Sequence, residues 1–226
     1  MSDVPVLLAE DVRKVFRKDG YDIEVLKGIT LSIGRGETIG VVGVSGAGKT
    51  TLLQILGTLD RPTSGKILFD GEEITGFSEE RLASLRNRKI GFVFQFHNLL
   101  PEFSVLENVM LPCRIAGLDR GEAKRRAEGL LSEVGLSGRM THRSGEISGG
   151  EQQRVAICRA LVMEPSVLLA DEPTGNLDRG TATGMVDLLL EINRSRKLSL
   201  LMVTHNEQVA SRLHRLVRID DGRIAG

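Results

Sequence analysis

The sequence predicts an α/β domain built on a parallel sheet, and three features carry that expectation. The apolar run Ile39 to Val42 leads through a glycine-rich loop into Leu52, Leu53, Ile55, Leu56 and Leu59, which have helical spacing. Two further short apolar runs, Val167 to Ala170 and Leu198 to Val203, each follow a helical segment, as buried parallel strands in βαβ units do. The loop itself, Gly43 to Thr50, reads GVSGAGKT and matches G-x-x-x-x-G-K-[ST] in the strand-loop-helix setting that pattern requires.

Taken in order, the first third of the chain holds β-like runs, among them Leu7 to Phe16 and Ile29 to Ile33, before the strand at 39–42. The helix after Gly48 is expected to end at Arg-Pro-Thr-Ser-Gly, 61–65. A second helix is predicted over 79–87 behind Ser78. A third spans 120–134, with Asp119 and Glu122 spaced as a capping box, Gly135 as its stop, and Ala123, Ala127, Leu130, Leu131 and Val134 on one face. Ile90 to Phe94 read as a strand. The segment Phe92 to Pro112 holds four of the seven phenylalanines yet also His97, Asn98, Pro101 and Glu102, which no simple core strand would choose.

Bulk composition narrows the classes. With 226 residues and 41% hydrophobic content the chain can bury one core, and one domain is the expectation. Thirty basic and thirty acidic residues cancel, so no overall field favours nucleic acid. Cys113 and Cys158 are the only cysteines and lie far apart, which indicates neither a disulfide framework nor a zinc site. No apolar run approaches the ~20 residues that cross a bilayer, and the N-terminus lacks signal-peptide character. The chain is therefore expected in the cytoplasm unless a partner holds it at a membrane.

The loop GVSGAGKT implies phosphate binding for a physical reason. Its glycines let backbone N–H groups turn toward phosphate oxygens, and the following helix start contributes roughly half a positive charge. Lys49 can reach the β and γ phosphates, the Thr50 hydroxyl can ligate Mg²⁺, and Ser45 and Thr51 add short polar contacts. The strand Val167 to Ala170 ends in Asp171 and Glu172, at the strand end where open α/β sheets bind ligands. Asp171 is placed to hold Mg²⁺, directly or through water, and Glu172 to polarise the water that attacks the γ-phosphate. His205 closes the strand 198–203 and could bond the γ-phosphate or hold that water in line, although a histidine at a strand end is more often structural.

Phosphate loops serve kinases, GTPases and transporters alike, so discrimination rests on Ile-Ser-Gly-Gly-Glu-Gln-Gln-Arg, 147–154. Ser148 can cap a helix with Glu151 closing the box, and Gly149 and Gly150 permit close approach of an anion. This stretch resembles the LSGGQ signature of ATP-binding cassette (ABC) ATPases, with Ile147 in place of leucine and Glu151 ahead of the glutamine, Gln152. The resemblance covers essentially the whole chain. It implies a P-loop NTPase fold with a RecA-like core, an antiparallel β subdomain and a helical subdomain nested at about 96–160.

The resemblance also implies roles. Phe16 would stack on adenine, and the loop Gly43, Val44, Ser45, Gly46, Ala47, Gly48, Lys49, Thr50 and Thr51 would hold the nucleotide. Gln95 would sense Mg²⁺ and the γ-phosphate, and Asn176 and Asp178 would lie in a loop crossing a dimer interface. Ser148, Gly149, Gly150, Glu151 and Gln152 would meet ATP held by a second copy. The implied cofactors are ATP and Mg²⁺. The implied partners are a second copy of the chain and separate membrane-embedded transporter subunits, with cargo not touched directly and no nucleic acid.

Within the family, Gln-Phe-His-Asn-Leu-Leu-Pro, 95–101, Glu107-Asn108 and Asp-Glu-Pro-Thr-Gly-Asn-Leu-Asp, 171–178, look most like the group serving lipoprotein release, macrolide or peptide efflux, and cell division. The phrase FQFHNLLPEF is closest to ATPases of lipoprotein-releasing systems, with MacB-like efflux or FtsE-like cell division as the alternative. This places the chain at the cytoplasmic face of a bacterial inner membrane. Leu99, Leu100 and Phe103 are then expected to contact membrane partners.

Overall fold

The structure, a computed structural model, describes residues 4–18 and 20–225. Two sheets form its frame. An antiparallel sheet has the order β2-β1-β4-β5, from β1 (Leu7–Lys18), β2 (Tyr21–Ile33), β4 (Ser64–Phe69) and β5 (Glu72–Glu73). The larger sheet has the order β10-β9-β3-β8-β7-β6, with β3 (Thr38–Val42), β6 (Ile90–Phe94), β7 (Val167–Asp171), β8 (Ser199–Val203), β9 (Arg215–Asp220) and β10 (Arg223–Ala225). Its strands β9, β3, β8, β7 and β6 are parallel, and β10 returns antiparallel along β9. β3 and β8 are buried at every position, which is why both read as largely apolar runs.

The helices are α1 (Lys49–Leu56), α2 (Glu79–Lys89), α3 (Val105–Ile115), α4 (Arg120–Glu133), α5 (Gly149–Leu161), α6 (Arg179–Arg196) and α7 (Glu207–Ala210). They divide the apolar interior into two clusters. One joins the antiparallel sheet and α1 to one face of the parallel sheet, through Leu7, Leu26, Ile29, Leu52, Leu53 and Leu56. The other packs α3, α4, α5 and α6 together and onto the opposite face, through Val109, Cys113, Leu131, Ile157, Leu168 and Met202.

Local expectations hold with two corrections. α2 and α4 are capped by Ser78 and Asp119, and Gly135 takes the left-handed conformation after α4. Asp119 accepts from Gly121 and Glu122 backbone N–H groups, but Glu122 does not reciprocate; its carboxylate pairs with Arg125 and Arg126 instead, so the predicted box is half formed. α1 stops at Leu56 rather than running to the proline turn, because Thr58 turns left-handed at φ +58 and the Leu59 N–H closes back on the Gln54 carbonyl at 2.8 Å. Leu59 is 48% exposed and outside the helix.

Both cysteines are core residues. Cys113 and Cys158 are fully buried, and desolvation pushes the Cys158 thiol up to about 12 and the Cys113 thiol above its usual range. Thiolate is the reactive form, so a thiol reagent at about pH 8 should leave the native protein unlabelled and modify both cysteines only after denaturation. Mass spectrometry of native and denatured samples checks this.

Candidate functional site

Because β3, β8, β7 and β6 are adjacent and parallel, the segments that leave their C-terminal ends converge. These carry the glycine loop, His205, the Asp171-Glu172 pair and Gln95. A cleft of about 520 Å³ opens there. Gly43, Ser45, Gly46, Gly48, Lys49, Thr50, Thr51, Asp171, Glu172 and His205 line it, joined by Val25 and Val203.

The loop conformation depends on glycine at two points. Gly43 has φ +155, and a Cβ there would lie 2.1 Å from the Ile219 carbonyl oxygen. Gly48 has φ +101, and its Cβ would lie 2.8 Å from Leu26 and 2.9 Å from the Val25 oxygen. Gly48 is also the N-cap of α1 and supplies no side-chain acceptor, so the first N–H groups of the helix remain available to an anion. Lys49 Nζ donates to the Gly43 and Val44 carbonyls at 2.9 Å each, curling over the loop. Val44 points outward, 68% exposed, and Ala47 packs inward.

Opposite the loop, Thr50 Oγ1 donates to Asp171 Oδ1 at 3.4 Å. Burial raises the Asp171 carboxyl above its ordinary value, partly offset by this hydrogen bond. Glu172 adopts φ +46, a left-handed conformation that costs a non-glycine residue roughly 1–3 kcal/mol. Its N–H bonds the Val203 oxygen at 2.9 Å and its carbonyl accepts from Gly175 at 3.0 Å, which holds the turn. Glu172 Oε1 lies 3.0 Å from His205 Nδ1, whereas Oε2 is buried with no protein partner. The arrangement presents a proton acceptor at the mouth of an anion cradle.

The other predicted residues are not part of this lining. Gln95 and Asn176 exchange two hydrogen bonds, Gln95 Nε2 to Asn176 Oδ1 and Asn176 Nδ2 to the Gln95 oxygen, both 3.1 Å. Asp178 caps α6 through Gly180, Thr181 and the Thr181 hydroxyl, and those bonds to Thr181 hold its carboxyl low. Phe16 is 40% exposed on β1 with the Lys14 ammonium 4.9 Å from its ring centroid.

Ser148 and Glu151 form the predicted box at the start of α5. Glu151 Oε2 accepts from both the Ser148 N–H and hydroxyl at 2.8 Å, and Oε1 accepts from Arg139 at 3.1 Å. The Ser148 bonds, helped by Arg139, pull the Glu151 carboxyl down to about 2. Ser148 and Gly149 are exposed, and a Cβ on Gly149 would meet nothing within 4 Å. Gly150 is closer packed, its Cβ position 2.8 Å from Thr181. Gln152 Nε2 turns back to the Ser144 and Ile147 carbonyls.

Sequence reasoning passed over two residues of α5 that face the site's supports. Gln153 is completely buried and donates to the Phe94 and Pro173 carbonyls, and Arg159 donates to those of His97 and Asn98 at 2.7 Å. A polar side chain inside the run VAICRAL was the available signal for Arg159.

Comparison with known proteins fits this geometry. The ABC transporter family matches residues 26–175. The chain is 57% identical over 219 residues to the lipoprotein-releasing system ATP-binding protein LolD of Syntrophus aciditrophicus, covering 97% of this chain and 98% of that protein. It is 50% identical over 221 residues to LolD of Aquifex aeolicus, covering 98% and 96%. Among solved structures it superposes at TM-score 0.90 and 36% identity, over 97% of each chain, on the dimeric bacterial ABC transporter cassette MJ0796. The same similarity holds for a dimeric post-hydrolysis state of MJ0796 bound to ADP and Pi. With a family match over well more than half its length, this chain belongs to the ABC transporter family, and its two sheets and helices are the ABC ATPase fold.

Proposed function

We propose that this chain is the ATP-hydrolysing subunit of an ABC transporter that powers release of lipoproteins from the inner membrane toward the outer membrane. One observation supports the mechanism above all: besides the uncapped start of α1, the chain exposes a second helix start at α5, whose capping box takes the Ser148 and Glu151 N–H groups. The start of α1 faces the cleft with Asp171, Glu172 and His205, while Ser148 and Gly149 lie exposed outside its lining. A second copy arranged head to tail brings each signature end onto the other's nucleotide. Identity of 50–57% to LolD proteins supports the lipoprotein-release reading.

In this reading the loop 43–51 binds the phosphates, Lys49 leaving the Gly43 and Val44 carbonyls for phosphate oxygens, and Phe16 stacks on adenine. Thr50 and Asp171 offer hard oxygen donors of the kind Mg²⁺ takes alongside phosphates, and a cation there offsets the cost of ionising buried Asp171. Gln95 joins from the end of β6. Bound, Mg²⁺ would neutralise charge on the β and γ phosphates. Glu172 takes a proton from water as the water oxygen bonds to the γ-phosphorus and the bond to the ADP oxygen breaks; His205 orients the carboxylate. Asn176 and Asp178 sit at the interface between copies.

The helical segment at about 96–160 is the proposed subdomain through which closure reaches membrane subunits of the LolC/LolE kind. An apolar groove between α2, β6 and α3, lined by Leu59, Phe92, Phe94, Leu111, Pro112 and Ile115, supports this, as do exposed Phe96, Leu100 and Phe103 in the segment between β6 and α3. Leu99 is better read as packing, since it lies against the second apolar cluster. No helix among the described residues is long and apolar enough to cross a membrane, which fits a peripheral subunit on the cytoplasmic face.

Reconstitution with the membrane subunits tests the proposal: ATP should release lipoprotein from inner-membrane vesicles, and its failure to do so with an active ATPase would redirect the cargo assignment. Combined Leu100→Ser and Phe103→Ser should abolish co-purification with those subunits and leave nucleotide affinity within about twofold, because both side chains are surface contacts. Loss of nucleotide binding instead would make the segment a core element.

A further inference from the structure

Besides the Gln95–Asn176 pair, one side chain from α5 reaches both strand ends that carry Gln95 and Glu172. Phe94, just before Gln95, pairs with Asp171, just before Glu172, as the last rung between β6 and β7. Past that rung Asn176 Nδ2 donates to the Gln95 oxygen, and Gln153 Nε2 donates to the Pro173 oxygen at 2.6 Å and to the Phe94 oxygen at 3.4 Å. The residue is fully buried, and its Oε1 has no protein partner, so the two carbonyls alone orient the amide. Turning the amide over would set oxygen against oxygen.

Two more facts give the contact a mechanical sense. Glu172, adjacent to Pro173, holds φ +46, and such a conformation persists only where its surroundings over-determine it. Gln153 also lies on the helix capped by Ser148, about 7 Å along the axis from the signature end at ~1.5 Å per residue. The same helix grips the far side of the Gln95 segment through Arg159.

We propose that Gln153 is a positioning residue that ties the Glu172 turn and the Gln95 strand end to the signature helix, so that both are set in place when that helix docks on a second copy. This rests on the reading above, in which Glu172 accepts the proton. Displacement of α5 moves Pro173 and Phe94 with it. The signature end of a chain thereby influences its own hydrolytic residues as well as its partner's nucleotide.

The test compares steady-state ATPase and nucleotide binding of the full chain in three variants. Gln153→Met keeps length and burial and removes both donors; its kcat should fall about tenfold with ATP affinity within about twofold of the parent. Gln153→Glu donates only while protonated, and burial raises its pKa. Its kcat relative to the parent should therefore rise as pH drops from about 8.5 to about 6 and approach the parent's at the acid end. Met-like behaviour of Gln153→Glu at every pH, a parent-like kcat in Gln153→Met, or a parallel loss of ATP affinity would overturn the proposal. Should Gln153→Met fail to fold, the pH dependence of Gln153→Glu decides alone. Glu172→Gln run alongside separates the two ideas: substantial turnover there removes the role of Glu172, whereas its inactivity beside a parent-like Gln153→Met removes only the role of Gln153.

Discussion

ATP turnover falls at least about a hundredfold in Glu172→Gln, while nucleotide affinity stays within about twofold. The expectation follows from where each carboxylate oxygen lies. Oε1 is oriented by His205 at 3.0 Å, and Oε2 is buried without a protein partner beside the phosphate loop. An amide of the same shape keeps the packing and the bond to His205, but it cannot take up a proton from water. The backbone bonds to Val203 and Gly175 do not involve the side chain, so the left-handed turn survives the exchange. General-base removal typically costs ~10²–10⁴ in rate. A phosphate-release assay beside a fluorescent-nucleotide titration checks both halves, and near-normal turnover would remove Glu172 from the chemistry.

Gly149→Asp is the second large effect: MgATP no longer drives two copies together, and turnover falls with it. The site is clean because the substitution costs the single chain nothing. A Cβ at Gly149 meets no atom within 4 Å, and an acidic residue in the first turn of α5 favours the helix. The phosphate loop is a separate element. What changes is the charge offered to a partner's triphosphate, where a carboxylate opposes the phosphates at close range. Gly150 would be a poorer choice, since its Cβ position crowds Thr181 within the same chain. Unchanged nucleotide affinity with no ATP-induced rise in mass is the expected result, measured by titration and sedimentation.

Legibility in the sequence tracked how far each element depends on its own residues. The parallel strands β3, β7 and β8 announced themselves because both faces are covered, so all but their end positions are apolar or glycine. The starts of α2, α4 and α5 were readable from Ser78, Asp119 and Ser148, whose side chains do the capping locally. α3 was obscured by Pro112, which the helix accommodates in its last turn, three residues before its end at Ile115. β9 was hidden by its charged residues: buried Val217 and Ile219 alternate with exposed Leu216, Arg218 and Asp220, so the strand carries only two core positions. Asn108 reads as a surface residue, yet it is fully buried and binds the Leu100 N–H and the carbonyls of Leu100, Phe103 and Ser104. Such roles depend on segments brought near by folding, as does the reach of Gln153 to Pro173, twenty residues away.

The cluster of phenylalanines resolves along the same lines. Phe92 and Phe94 stack with ring centroids 5.8 Å apart on the strand that delivers Gln95. Phe96 and Phe103, past Gln95, are 68% and 37% exposed on the surface that follows. One stretch thus changes from a half-buried strand to exposed loop surface within a few residues, which accounts for its mixed composition.

Two copies are expected to close around nucleotide, the signature end of each meeting the phosphate loop of the other. Sedimentation of Glu172→Gln, alone and combined with Gly149→Asp, tests it most directly because slow hydrolysis holds the closed state. Saturating MgATP should convert Glu172→Gln to a dimer and leave the double variant at its nucleotide-free mass, although both bind ATP. No ATP-dependent rise in mass for Glu172→Gln, or an equal rise in the double variant, would contradict it.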